Sequence, residues 1–114
     1  MFLAPVAYST GHWGAVDVAV ADLDGDGKPD IVVANLGPSP TGSVSVLLQN
    51  PAMPGVFLAA TNYAGFGQPL AVAIADLNAD GHPDIAVADS STATVLLQIP
   101  SSPGTFAQAV QVGK

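Results

Sequence analysis

Asp22, Asp24, Asp26 and Asp30 crowd four carboxylates into nine consecutive residues, and Asp76, Asp80 and Asp84 repeat the arrangement with Asn78 in the place of Asp24. The chemistry of such spacing is cation binding. Calcium takes six to eight oxygen ligands at roughly 2.3–2.6 Å, and a loop that turns alternate residues inward supplies them. In the first loop Asp22, Asp24 and Asp26 take positions 1, 3 and 5, the carbonyl of Lys28 takes position 7, and Asp30 closes at position 9. In the second loop the same places fall to Asp76, Asn78, Asp80, the carbonyl of His82, and Asp84. Gly27 and Gly81 at position 6 supply a turn that a side chain with positive φ resists, and Pro29 fixes the entry into the following strand.

Simple hairpin turns also favour Asp, Asn and Gly, for local hydrogen-bonding reasons. Such turns account for one or two acids, not for carboxylates at positions 1, 3, 5 and 9 and their recurrence 54 residues later. An EF-hand needs flanking helices and a bidentate Glu at position 12, where this chain has Val33 and Val87. A dockerin-type loop fails similarly, because a valine-rich strand follows position 9 at once. Carboxylates about 4 to 5 Å apart repel by roughly 3 to 4 kcal/mol per pair at an effective dielectric near 20, so a four-Asp loop calls for a cation. Two Ca²⁺ ions per chain, the expected complement, take the formal charge from −7 to −3.

The remaining composition narrows the function. All nine acids are Asp, only Asp17 and Asp89 lie outside the loops, and the cations are two Lys with no Arg. Nucleic acid and anionic lipid are therefore not expected as partners. No run of 18 or more apolar residues is present and the first residues lack a basic leader, so neither membrane insertion nor a signal peptide is expected. The chain has no Cys, which suits secretion and cytosol alike. Without Cys, Glu or Arg, and with most carboxylates committed to the loops, no enzyme activity is expected. Gly25 and Gly27 lie between strands, not before a phosphate-binding helix. His12 and His82 form no zinc cluster by sequence.

The elements that carry the loops are themselves repeated. Val16 to Asn35 aligns without a gap on Leu70 to Asp89, and Ser43 to Phe57 aligns on Thr92 to Phe106 at an offset of 49. The difference is the longer first-copy segment Leu36 to Gly42. A third element occurs three times, as FLAPVAY (Phe2 to Tyr8), FLAATNY (Phe57 to Tyr63) and FAQAVQV (Phe106 to Val112). Alternation with period two, rich in valine and bounded by Gly, Pro, Asn and Ser, predicts strands and no helix. Each unit reads as four strands, beginning at Val16, Asp30, Ser43 and Phe57 in the first copy. The expected fold class is all-β, with two four-stranded antiparallel blades in one domain, 1–114. Blade 1 spans about 16–63, preceded by an extra outer strand at 2–8, and blade 2 spans about 70–112. The alanine-rich first strand suits close approach around an axis.

The motifs VAVADLDGDGKPDIVVAN, SVSVLLQ and PGxF resemble the FG-GAP or VCBS repeats of integrin α-subunit-type β-propellers, over nearly the whole chain. The resemblance implies that each metal loop joins the first and second strands of a blade on one rim. It also implies propellers of about seven blades and an extracellular or cell-surface location. Two blades do not close a ring, and open edges with apolar faces favour association. Completion by a homo-oligomer is expected, as a trimer or tetramer. Trp13, in GHWG, and Phe66, in GFGQP, fall on the opposite rim, as packing or as a surface for a protein or carbohydrate ligand. A calcium-binding scaffold module is the leading expectation, with a lectin-like protein or a purely structural self-assembling fragment as alternatives.

Overall fold

The computed structural model describes residues 6–37, 42–89, 92–107 and 110–112. Among these, the chain forms eight strands and no helix: β1 (Ala15–Ala21), β2 (Asp30–Asn35), β3 (Gly42–Leu47), β4 (Thr61–Phe66), β5 (Ala71–Ala75), β6 (Asp84–Ala88), β7 (Ala93–Leu96) and β8 (Val110–Val112). They make two four-stranded sheets, β1-β2-β3-β4 and β5-β6-β7-β8, with each strand beside its sequence neighbours. All pairings are antiparallel. Valine and isoleucine at alternate positions favour this pleated state. The pairing register aligns the alternation across strands.

In the first sheet Val32 pairs with Ala19 and with Val46, and Ala34 pairs with Val44. One face of the sheet is therefore apolar across three strands. It packs on the face of the second sheet that carries Val72, Ile85, Val87 and Leu96, and the buried cluster they form also takes in Leu23 and Phe106. The alanine-rich first strands β1 and β5 are neighbours. Asp17 joins them, its Oδ2 accepting the Val72 N–H at 2.9 Å. A hydrogen bond to a charged acceptor contributes about 1.5–3 kcal/mol, and partial exposure reduces that figure here. Asp17→Ala is expected to destabilise the fold by about 1 kcal/mol, read from urea midpoints.

The fourth strand differs from expectation. It begins at Thr61, and Phe57 makes only an isolated bridge with Gln49, as Phe106 does with Gln98. Pro51 and Pro54 cannot donate to a ladder. The chain there instead closes a compact turn, with Asn50 N–H bonding to Val56 O at 2.7 Å and Leu58 N–H to Leu48 O at 2.8 Å. Of the expected outer strand at 2–8, residues 2–5 lie outside the described residues, and Val6 to Tyr8 are not in a strand. Tyr8 nevertheless stacks edge-on against Phe57 at 5.4 Å, as Tyr63 does against Phe106 at 5.9 Å. Each Tyr thus abuts the Phe of the unit that follows it.

Candidate metal centres

Each acidic loop connects the first two strands of its sheet, so the ends of a rigid hairpin set its span. Carboxylate oxygens of Asp22, Asp24 and Asp30 lie within 4.8 Å of one another, and so do those of Asp76, Asp80 and Asp84. Positions 1 and 9 belong to both groups. Position 3 completes the first and position 5 the second. Asp26 lies outside the first group, and its Oδ1 accepts the Lys28 N–H at 2.9 Å. Asp80 Oδ1 accepts the His82 N–H at the same distance.

Backbone donors shape the loops. Asp22 accepts from Gly25 N–H at 2.9 Å and Gly27 N–H at 2.8 Å. Asp76 accepts from Asp80 N–H at 3.2 Å and Gly81 N–H at 2.9 Å. Gly27 and Gly81 have φ of 85° and 86°, as position 6 required. Ala79, which stands where the first loop has Gly25, also has positive φ, at 61°. A left-handed conformation costs an L-residue roughly 1–2 kcal/mol. Ala79→Gly is therefore expected to raise stability by about 1 kcal/mol, measured as a rise in denaturation midpoint, with no gain from a Gly at an exposed strand position.

Asp30 and Asp84 are fully buried and have a role that spacing alone did not reveal. Asp30 Oδ2 accepts the Leu23 N–H and Oδ1 accepts the Gln49 N–H, both at 2.8 Å. Asp84 does the same with Leu77 and Gln98, again at 2.8 Å. Each closing aspartate thus clasps its own loop to the end of the third strand. The Gln then extends the clasp: Gln49 Nε2 donates to Pro29 O at 2.9 Å, while its Oε1 accepts the Gly55 N–H at 3.0 Å. Gln98 repeats this with Pro83 and Gly104. The signal available in the sequence was the repeated Leu-Leu-Gln.

The donor set fits a hard cation, which prefers oxygen ligands. In the ion-free chain, burial first and then the charge of Asp30 push the Asp24 carboxyl up to about 6. A bound cation reverses that effect, so proton and metal compete for this group. Asn78 stands 3.2 Å from Asp76 Oδ1 and 2.9 Å from Asp80 Oδ1. With its nitrogen inward it donates to both, and with its oxygen inward it adds a ligand to the group.

The other end of the sheet holds the remaining candidates. Trp13 is 59% exposed and lies over Gly37, whose N–H bonds to Trp13 O at 3.0 Å. Phe66 ends β4, and its side chain lies outside the described ones. His12 is committed to structure, with Nδ1 at 2.6 Å from Ser43 Oγ. Ser43 donates to Gly37 O at 2.8 Å, so the ring nitrogen is the donor in that pair. Asn35 donates to Ser45 at 2.9 Å, and Ser45 to Asn62. His82 and Lys28 are half-buried in their loops.

No curated protein matches the chain. The family model of the FG-GAP-like repeat matches residues 22–87, from the first aspartate of loop one into the strand after loop two. With that match covering more than half of its length, over two hairpins of one design, the chain belongs to the FG-GAP-like repeat family.

Proposed function

We propose that the chain is a pair of consecutive β-propeller blades, each braced by one calcium ion, that serves outside the cell as a protein-interaction module without catalytic activity. The observation that carries this is the recurrence of one three-carboxylate group at the same hairpin of both sheets, in a chain of FG-GAP-like repeats. In each loop the ion takes the carboxylates, the amide oxygen of Asn78 in the second, and the position-7 carbonyl of Lys28 or His82. Among the described residues no helix is long and apolar enough to cross a membrane.

Calcium here stiffens a hairpin, which leaves the opposite end, with Trp13, to meet a partner. An amide NMR titration with calcium tests this division. Signals of Gly25, Gly27 and Gly81 are expected to shift, because the carboxylates that hold Gly25, Gly27 and Gly81 turn to the ion, while Gly11 and Gly37 stay in place. Shifts spread evenly over both ends contradict it. The exposure of Trp13 favours a carbohydrate ligand as the second reading, since an open indole face stacks on sugar rings. Sugar binding on a glycan array that is lost in Trp13→Ala supports that reading, and a blank array removes it.

A further inference from the structure

The two sheets are related by the repeat, yet their faces are not equally covered. Val72, Val87, Ile85 and Leu96 of the second sheet are at most 8% exposed where they meet the first sheet. One repeat earlier, Val18 and Val20 on the corresponding face of the first sheet are 57% and 61% exposed, and Val16 is exposed beside them. The far face of the second sheet is uncovered too. Ala71, Ala73 and Ala88 are exposed there and Ala86 and Val95 half-buried, whereas Val32, Ala34 and Val46, the residues matching Ala86, Ala88 and Val95, are at most 2% exposed in the first sheet. The molecule therefore carries both halves of its own internal interface, one on each outer face.

We propose that these faces meet between copies of the chain, head to tail, with the Val16, Val18 and Val20 face of one copy on the Ala71, Ala73 and Val95 face of the next. The contact presupposes that the two sheets are consecutive blades, as proposed above, and continues the internal interface by the same 54-residue correspondence. Shape supports it away from the strands as well. Gly104 sits against Leu48 and Asp24 of the first sheet, while Gly55, its match in the first unit, faces open space. Neither face carries a charge that opposes the contact: the first presents Val16, Val18, Val20 and Val33, and the second is built of alanine and valine. Because the two faces differ, the contact is heterologous, and it propagates until it closes into a ring. Four to eight blades make a propeller, which two to four chains of two blades each supply.

One feature of the internal joint is missing at the outer one. Asp17 accepts the Val72 N–H across the two sheets, but the residue matching Asp17 in the second sheet is Ala71, so the Val18 N–H of a following copy meets no carboxylate. The joint between copies is therefore the weaker, and it can be strengthened at a known place.

Sedimentation equilibrium in calcium tests the contact. The wild-type chain is expected at a multiple of its 11.3 kDa mass. Val18→Asp, on one face, and Ala73→Asp, on the other, are each expected to reduce it to a monomer with its circular dichroism retained. Ala71→Asp is expected to lower the dissociation midpoint several-fold. A monomeric wild type, or wild-type mass in either face variant, overturns the proposal. Val72→Asp, which buries the charge inside the chain, distinguishes the two readings: it is expected to unfold the protein at any concentration, and a folded Val72→Asp chain removes the blade reading itself.

Discussion

Chelation of calcium is expected to lower the melting temperature of this chain by roughly 20 °C. Two sites held at 100 times their dissociation constants each add about 2.7 kcal/mol, and for a domain of this size about 1 kcal/mol moves the midpoint by about 4 °C. The sign follows from the carboxylates of each loop, which lie within 4.8 Å of one another. Without an ion they repel, and burial first and then the charge of Asp30 push the Asp24 carboxyl up to about 6. With an ion the repulsion becomes attraction, and the hairpin is fixed at both ends. Magnesium is expected to substitute poorly, because it demands near-octahedral geometry at shorter distances and gives up water reluctantly. Melting curves that coincide in calcium and in EDTA contradict the expectation.

The second large effect belongs to Asp30, which acts whether or not calcium is present. Its two oxygens take the N–H groups of Leu23 and Gln49 in a fully buried position. Asp30→Ala leaves both donors unpaired, at roughly 1–3 kcal/mol each, for a total of about 2–6 kcal/mol. The loss is expected in EDTA as well as in calcium. Asp22→Ala behaves differently, because Asp22 bonds only to exposed loop donors. That variant is expected to be strongly destabilised in calcium and nearly neutral in EDTA, where removing one carboxylate also relieves repulsion. Denaturant titrations of both variants in both conditions separate the clasp from the ligand. Equal losses for the two in EDTA would show that Asp30 has no separate structural part.

These two residues also show what could be read before the fold was known. The acid spacing Asp22-Asp24-Asp30 is local, because a nine-residue loop between two strands brings its own two ends and one acid between them together whatever surrounds it. Which odd position joins them, Asp24 in one loop and Asp80 in the other, was not legible. The strands were legible too, since valine alternation sets pleat and face at once. The clasp was not, because Gln49 reaches Asp30 only through the register of β2 on β3, and register is a property of the pair. For the same reason the start of β4 was misplaced: PGxF resembles a strand entry, but Pro51, Pro54 and the Gln49 side chain convert it into a closed turn. Face exposure was equally hidden. Val18 and Val72 occupy matching positions of the repeat, and the packing of one sheet on the other separates a 57% exposed valine from one that is 8% exposed. His12 offered a chemical group without a partner, and Ser43, which holds it, lies 31 residues away.

Isothermal titration of the demetallated chain with calcium tests the central claim most directly. Two ions per chain are expected for the wild type, one for Asp22→Ala and one for Asp76→Ala, and none for the double variant. A wild-type chain that takes up no calcium, or a double variant that still takes up two ions, would contradict it.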